Sequence, residues 1–250
     1  MVRIGDDIPV HQISRTNELA ASRAGAAAGL SPEVVHHEPG ALVLQFIEGR
    51  ALKPEDVRER PMLERILPLI RRCHHDAVKN LRGPMQMFWL PHLLRDYACE
   101  LVEGISSFGS DVPRLISVLD ELQAAIGPID VVFSHNDLLS ANLIDDGARL
   151  WLIDWDYAGF NSPLFDLANL CSNNEVAPPD ETWLLESYFQ RPLSAELGRR
   201  YRAMKCASLL REAMWGMVSE LHSSLTVDYA AYARDYLGRF EQSLAQFRRG

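Results

Sequence analysis

The sequence predicts an α+β protein in which a small region with strands precedes a larger, mainly helical region. Strand-like runs surround one Ala-rich segment within residues 1–48, and beyond them apolar residues recur at the three- and four-residue spacing of helices. Two short apolar runs, 131–133 and 150–153, interrupt the helical pattern as predicted strands, and a polar loop follows each. A chain of 250 residues with 47% hydrophobic content can bury a sizeable core around such elements.

The first region predicts a strand, a helix and a hairpin in that order. Residues 1–4 are typical of the end of a strand, and the Ala-rich segment 16–28 predicts a helix that Gly29 terminates. Runs at 33–37 and 41–47 predict two strands of a hairpin, because the Pro-Gly pair between them marks a tight turn.

The second region predicts mainly amphipathic helices. Apolar residues between Met62 and Cys73 fall on one helix face, and Ser194 has the residue type of an N-cap at the start of another helix. Further helical segments are predicted at 93–103, 112–125, 181–189, 195–221 and 228–248.

Composition and charge exclude several classes of partner. The net charge is −9 and no run of Lys or Arg is longer than a pair, which argues against nucleic acid as a partner. No stretch of about 18 apolar residues occurs and the first residues do not resemble a secretory signal, so we expect a cytoplasmic protein without membrane insertion. The four cysteines lack C-x-x-C spacing, which favours reduced thiols over a metal site.

Two histidine pairs attract attention without predicting a metal site. His36-His37 and His74-His75 are adjacent in sequence, and adjacent side chains point apart on a strand or a helix. No cluster of Cys or acidic residues accompanies them. We therefore interpret both pairs as structural.

Chemistry-bearing residues follow the two strands that interrupt the helical region. The first loop carries His135, Asp137 and Asn142, and the second carries Asp154 and Asp156. Phosphoryl transfer needs a carboxylate that orients and deprotonates the attacking hydroxyl, and oxygen ligands that hold Mg²⁺ against the triphosphate of ATP. An Asp with an Asn five residues later can divide these tasks, while an Asp from the neighbouring strand completes the metal site. The pattern therefore predicts ATP- and Mg²⁺-dependent phosphoryl transfer.

The segment 133–169 resembles the choline/ethanolamine kinase branch of the aminoglycoside phosphotransferase superfamily, whose fold is protein-kinase-like. The resemblance lies in His-Asn-Asp-Leu-Leu-Ser-Ala-Asn, in the later Ile-Asp-Trp-Asp, and in Phe-Asp-Leu-Ala-Asn. It implies that Asp137 is the catalytic base, with Asn142 and Asp154 as Mg²⁺ ligands. It also implies that Asp166 supports the catalytic loop, and that His135 orients this loop rather than reacting.

The resemblance extends to residues around a nucleotide. For Asp156 two roles stay open, a ligand of a second metal ion or a solvated turn residue. Arg3 matches a basic residue that contacts ATP phosphates and Glu18 its ion-pair partner, although a surface charge and a helix N-terminal acid are the alternatives. The segment 44–49 is similar to the linker whose backbone hydrogen-bonds adenine. Its predicted nucleotide-binding residues are Gln45, Phe46 and Ile47.

Aromatic residues lie where the family binds a quaternary ammonium. Tyr157 follows the second loop, and Trp215, Tyr229 and Tyr232 lie in the C-terminal helices. In choline kinases, aromatic residues at similar positions form a box around the cation, and each contact stabilises it by roughly 0.5–2 kcal/mol. The alternative is that these side chains only pack the helices together.

Two departures from the family pattern leave the acceptor open. Val218 stands where the family has the second Trp of Trp-Gly-x-Trp, and Asn173 where it has an acid. We expect a small, amine-bearing alcohol as acceptor, with choline or ethanolamine first. An aminoglycoside, thiamine or sugar kinase of the same superfamily is an alternative, and so is a nucleotide-binding pseudokinase.

The resemblance implies a two-lobe fold with a truncated first lobe. Residues 1–48 correspond to a partial N-terminal, nucleotide-binding lobe without its first strands and phosphate loop, and residues 49–250 to the mainly helical catalytic and substrate-binding lobe. We expect about 40–50 upstream residues of β-hairpin in the natural reading frame, and full activity depends on them. The expected partners are ATP and a small-molecule alcohol, with monomer and homodimer both open.

Overall fold

The structure of the protein is a computed structural model that describes residues 1–249. Its strands and helices confirm the predicted α+β class. The chain forms two compact units, each built from two separate segments. Unit 1 comprises Met1–Phe88 and Asp130–Leu193, and unit 2 comprises Trp89–Ile129 and Ser194–Gly250. These bounds differ from those of the predicted lobes, and the division at residue 48 stays a prediction.

All the described strands lie in unit 1, where they form three small sheets with antiparallel pairing throughout. The sheet orders are β1-β3-β2, β4-β6-β7 and β5-β8. The strands are β1 (Val2–Ile4), β2 (Val34–Glu38), β3 (Ala41–Leu44), β4 (Arg50–Ala51), β5 (Val132–Ser134), β6 (Leu143–Asp145), β7 (Leu150–Leu152) and β8 (Gly159–Asn161).

The helices are divided between the two units. Unit 1 contains α1 to α4 together with α7 and α8, and unit 2 contains the remaining four. They are α1 (Arg15–Ala27), α2 (Pro54–Arg58), α3 (Arg60–Arg72), α4 (Val78–Asn80), α5 (Leu90–Glu103), α6 (Val112–Ile126), α7 (Pro163–Asn174), α8 (Pro178–Phe189), α9 (Ala195–His222) and α10 (Tyr229–Arg249).

The N-terminal sheet confirms the predicted strand, helix and hairpin. Strand β1 pairs with β3, and β2 pairs with β3 across the tight turn at Gly40, whose φ of 83° suits glycine. Leu42 and Leu44 of β3 are buried and anchor the sheet. The second hairpin strand ends at Leu44 rather than at residue 47, although the amide N of Gln45 still donates to the Glu33 carbonyl at 2.8 Å.

Helix α1 packs closely against the segment that follows β7. A Cβ atom added at Gly25 would lie 2.7 Å from the Trp155 ring and 2.8 Å from Ser31 Oγ. The Ser31 hydroxyl accepts from Trp155 Nε1 at 2.7 Å and donates to the Leu152 carbonyl at 2.7 Å. The backbone joins too, because Leu152 N donates to the Leu30 carbonyl at 2.9 Å. The end of α1 and the end of β7 are therefore held together.

Several local features were not predicted from the sequence, among them the three that follow. Helix α7 begins at Ser162, whose hydroxyl caps the Leu164 amide, with Pro163 in the first turn. A π-helical turn, Cys73–Ala77, follows α3. Strand β8 pairs with β5. The Ser162-Pro163 pair is a sequence signal for the start of a helix. The π turn and the short strand, in contrast, depend on tertiary contacts.

Unit 2 is built from four helices. Ser194 caps α9 as predicted, since its hydroxyl accepts from Leu197 N at 3.2 Å. Helix α10 packs along α9, where a Cβ at Gly216 would approach Tyr232 Cδ1 to 2.8 Å. Among residues 1–249, no helix combines the length and the apolar composition that crossing a membrane requires.

The contact at Gly25 yields a stability prediction. Gly25→Ala should lower the free energy of unfolding by about 1–3 kcal/mol, because the added methyl group overlaps the buried Trp155 ring. Gly238→Ala in α10 is the matched control, since a Cβ there meets open space. It should raise stability by about 0.5–1 kcal/mol. Urea unfolding followed by circular dichroism measures both, and a Gly25→Ala variant as stable as the parent would contradict the packing.

Candidate active site

The two predicted loops lie side by side in unit 1. Strand β5 leads into the loop 135–139, and a short 3₁₀ turn at Ser140–Asn142 connects this loop to β6. Strand β7, paired with β6, leads into the second loop at 153–158. The two loops are joined directly, because Ile153 N donates to the Asn142 carbonyl at 3.0 Å.

The buried carboxylate of Asp166 anchors the first loop through two backbone amides. One oxygen accepts from the backbone amide of His135 at 3.0 Å, and the other accepts from that of Asn136 at 2.8 Å. One helical turn along α7, Asn169 Oδ1 accepts from the Leu138 amide at 2.6 Å. Helix α7 thus anchors the backbone on both sides of Asp137, a geometry that agrees with the supporting role predicted for Asp166.

Asn136 gives the first loop its sharp bend. Its φ of 66° lies in the left-handed region, which Asn tolerates better than most residues. The side-chain amide donates to the Tyr157 carbonyl at 3.0 Å, and its oxygen accepts from Asn161 Nδ2 at 2.8 Å. Asn136 therefore ties the first loop to the second loop and to β8.

Asp137 and Asn142 are brought into direct contact. Asn142 Nδ2 donates to the Asp137 carbonyl at 2.9 Å and to Asp137 Oδ2 at 3.2 Å. Because the nitrogen of the amide donates to Asp137, the oxygen of the same amide takes no part in this contact. The spacing of five residues thus places a carboxylate beside an amide, and the roles of Asp137 as base and Asn142 as metal ligand stay predictions.

The two acids of the second loop have different surroundings. Asp154 is exposed and has a φ of 65°. Asp156 pairs with Arg15 Nη1 at 2.6 Å, and Arg15 also contacts Glu18 at 3.1 Å. Burial, with the charges of Asp154 and Glu18, raises the pKa of Asp156 to about 6 against the opposing effect of Arg15. The carboxylate of Asp156 is therefore engaged with an arginine, and the two roles predicted for it stay open.

The pair predicted to face ATP phosphates forms an ion pair. Arg3 Nη2 lies 2.5 Å from Glu18 Oε2, and Arg3 Nε donates to Glu18 Oε1 at 3.0 Å. Glu18 is buried and also binds Arg15, so a continuous chain of charges runs from Arg3 to Asp156. Arg15 was missing from the sequence prediction; its place one helical turn before Glu18 was the available signal.

His135 lies in the core of unit 1 and not at its surface. Its Nε2 is 3.0 Å from the Ile153 carbonyl, and its ring packs 4.8 Å from that of Trp155. Burial lowers the pKa of His135 despite the nearby carboxylates of Asp166 and Asp154. A neutral ring that holds the second loop agrees with the orienting role predicted for this residue.

The predicted adenine-binding linker is irregular and open. Gln45, Phe46 and Ile47 follow β3 without regular structure, and the Phe46 ring is 73% exposed. Their contact with a nucleotide stays a prediction.

The predicted aromatic residues divide between the units. In unit 2 the Trp215 ring lies 5.8 Å from Tyr229 and 5.5 Å from Tyr232, both edge to face. Tyr232 donates to the buried carboxylate of Glu212 at 3.0 Å. Tyr157 belongs to unit 1, where its ring meets Phe88 at 6.0 Å. The roles of these four aromatic residues as substrate ligands stay predictions.

A divalent metal ion fits the donors of the first unit. Within residues 1–249 no group of three or more His, Cys, Asp or Glu side chains forms a metal cage. Mg²⁺ does not require one, because it uses few protein oxygens and keeps water and phosphate oxygens for the rest. The amide oxygen of Asn142, whose nitrogen donates to Asp137, and the exposed carboxylate of Asp154 are oxygen donors of this kind.

Solved structures define the class of protein. A choline/ethanolamine kinase family protein from Mesorhizobium loti matches with a TM-score of 0.78 at 28% identity, over 100% of this chain and 86% of that one. Choline kinase LicA from Streptococcus pneumoniae matches with a TM-score of 0.78 at 23% identity, over 98% of this chain and 85% of that one. An aminoglycoside 2'-phosphotransferase matches with a TM-score of 0.62 at 12% identity, over 92% of this chain and 82% of that one. The last two share the fold, and together these likenesses confirm the predicted kinase-like fold.

The family follows from the sequence. Residues 1–183 match the profile of the choline/ethanolamine kinase family, and the chain belongs to that family. This confirms the resemblance given by the motifs. Ethanolamine kinase 2 of Mus musculus is 30% identical over 262 aligned positions, which cover 93% of this chain. The chain spans 66% of the length of the mouse, rat and human proteins of that name.

The bend at Asn136 can be tested by two substitutions. Asn136→Ala should lower the free energy of unfolding by about 2–4 kcal/mol, because it removes two buried hydrogen bonds and strains the left-handed backbone. Asn136→Gly loses the same hydrogen bonds, but glycine adopts the left-handed backbone without strain. Its free energy of unfolding should therefore fall by about 1 kcal/mol less than that of Asn136→Ala. Thermal and urea unfolding measure the difference, with the exposed Asn80→Ala as control. Equal losses in the two Asn136 variants would contradict a conformational role.

Proposed function

We propose that the protein transfers the γ-phosphoryl group of ATP to the hydroxyl of choline or ethanolamine. The observation that carries the proposal is the contact of Asn142 Nδ2 with Asp137 Oδ2 at 3.2 Å, in a loop that Asp166 and Asn169 anchor on both sides. A held carboxylate beside a metal-competent amide is what phosphoryl transfer to an alcohol requires. Membership of the family and the names of its relatives support the choice of acceptor.

Asp137 is the base in this proposal. Its carboxylate accepts the proton of the acceptor hydroxyl as the oxygen attacks phosphorus, and the bond from phosphorus to the leaving oxygen of ADP breaks. The surrounding hydrogen bonds fix the backbone on either side of Asp137, so that the carboxylate is in place to accept the proton without reorganisation. The buried His135 keeps the second loop in register by its bond to the Ile153 carbonyl.

Asn142 and Asp154 are the proposed ligands of Mg²⁺, which supplies charge neutralisation to the phosphates when it is bound. Gln45, Phe46 and Ile47 face adenine in the proposal, and the ion pair of Arg3 with Glu18 lies on the phosphate side.

Trp215, Tyr229 and Tyr232 supply the proposed cation-binding surface. The Trp215 ring contacts Tyr229 and Tyr232 edge to face, and the faces of aromatic rings attract ammonium groups. The hydrogen bond from Tyr232 to Glu212 fixes one of these rings. Tyr157, in unit 1, is a further proposed substrate ligand. Aromatic rings of this kind favour a cationic alcohol over a neutral sugar.

The catalytic role of Asp137 is tested by a single change. Asp137→Asn should lower kcat by about 10²–10⁴-fold, because the amide cannot accept the proton, while ATP binding stays close to that of the parent. A coupled assay of ADP release with Mg²⁺ and choline or ethanolamine measures kcat, and calorimetry measures ATP binding. Asp120→Asn on α6 is the control, since Asp120 pairs with Arg95 at the surface of unit 2.

The same assay separates the enzyme from its alternatives. Parallel reactions contain thiamine, an aminoglycoside or a sugar, and both this chain and a form extended at its N-terminus are assayed. Turnover with choline or ethanolamine that Asp137→Asn removes supports the proposal. ATP binding without turnover by either form, with every acceptor, would instead favour a pseudokinase.

The cation-binding surface gives a second prediction. Trp215→Ala should raise KM for choline or ethanolamine about 2–30-fold, the equivalent of roughly 0.5–2 kcal/mol, with KM for ATP unchanged. Trp183→Ala is the control, because that ring stacks with Arg60 in unit 1. An unchanged acceptor KM in a folded Trp215→Ala variant would show that the cluster only packs α9 against α10.

A further inference from the structure

A buried histidine and a tyrosine stand behind the carboxylate that anchors the catalytic loop. His74 Nε2 lies 2.9 Å from Asp166 Oδ2, and His74 Nδ1 lies 2.7 Å from the Tyr188 hydroxyl. The side chains of His74 and Asp166 are 0% and 1% exposed. All three residues belong to unit 1, and they reach it from the π turn, α7 and α8. The result is a continuous chain of hydrogen bonds from Tyr188 to the loop.

The π-helical turn explains why His74 faces inward. The turn Cys73–Ala77 continues α3 with a wider winding, and such turns often occur at functional sites. Cys73 Sγ lies 3.7 Å from the Phe133 carbonyl of β5, so the turn is packed beside the strand that leads into the loop. His75 is exposed, whereas His74 is enclosed. The two adjacent histidines therefore have different roles.

The partners determine which nitrogen of His74 carries the proton. Asp166 Oδ2 is an acceptor, so Nε2 donates to it. Burial, with the charge of Asp166, raises the pKa of Tyr188, which therefore keeps its hydroxyl proton and donates to Nδ1. This tautomer satisfies Tyr188, both nitrogens of His74 and the carboxylate. Loss of the Tyr188 hydroxyl would remove the bias towards it.

The carboxylate of Asp166 has three donors with different functions. The amides of His135 and Asn136 are the groups that it positions, and they belong to a loop with a left-handed bend. His74 is the donor that comes from outside the loop. Without it, the orientation of the carboxylate depends on the loop that it is meant to orient.

We propose that His74 is a positioning residue for phosphoryl transfer, acting through Asp166 to hold Asp137 where it accepts the proton of the acceptor hydroxyl. This inference rests on the proposed function. A small displacement of a catalytic group can cost about 10²-fold in rate, so the effect should be visible in kcat. Binding of ATP and of the acceptor should change little, because His74 is enclosed behind the loop.

Two amide substitutions separate the two nitrogens of the ring. The amide of Gln reaches the position of Nε2 and can donate to Asp166, whereas the amide of Asn reaches only the position of Nδ1. His74→Asn should lower kcat about 10–100-fold with both KM values within about threefold of the parent. His74→Gln should restore kcat to within about fivefold of the parent. His75→Gln is the matched control on the same turn and should leave kcat unchanged.

A double substitution tests the route of the effect. If His74 acts through Asp137, then His74→Asn should lower kcat by less than about threefold in a protein that already carries Asp137→Asn. Thermal unfolding of every variant confirms that it is folded at the assay temperature. If His74→Asn does not fold, the inference is tested with Tyr188→Phe, which removes only the hydroxyl. This variant should lower kcat about 3–10-fold without a change in KM.

Several outcomes would overturn the inference. These are parental kcat in a folded His74→Asn variant, equal loss in the Asn and Gln variants, or parental kcat in Tyr188→Phe when His74→Asn is unfolded. An additive loss in the double variant would overturn it as well. A parent protein with no phosphoryl transfer at all would count against the proposed function, and is distinguishable from each of these results.

Discussion

One buried carboxylate, that of Asp166, determines the geometry of the candidate active site. An ionised carboxylate inside a protein is costly unless hydrogen bonds replace its water shell. Three donors do so, two backbone amides and His74 Nε2. Burial raises the pKa of Asp166, but the interactions with His74 and His135 outweigh burial and hold that pKa below its ordinary value. Because two donors are consecutive amides, satisfying the charge also bends the loop and directs Asp137.

The second constraint is the contact between α1 and the end of β7. Trp155 lies between Ser31 and Gly25 on one side and the ring of His135 on the other. The same helix carries Arg15 and Glu18, whose charges reach Asp156. A helix that is far from the catalytic motif in sequence therefore controls both the packing and the charge of the second loop.

Sequence patterns predicted the elements that depend on nearby residues. The hairpin followed from the Pro-Gly turn, α9 from Ser194 and the site from the spacing of Asp137 and Asn142. Helix α7 was not predicted because all twelve of its residues are buried, so no polar face marks the helical period in the sequence. The role of His74 escaped for another reason. Its partner Asp166 is 92 residues away, and a wide turn rather than a regular helix aims the ring.

The order of the segments along the chain bears on how the protein folds during synthesis. Neither unit is continuous, because residues 130–193 of unit 1 separate the two halves of unit 2. When α5 and α6 leave the ribosome, α9, the long helix that packs against both, is still about 70 residues or more from being made. Their apolar faces are therefore uncovered for several seconds in each round of translation.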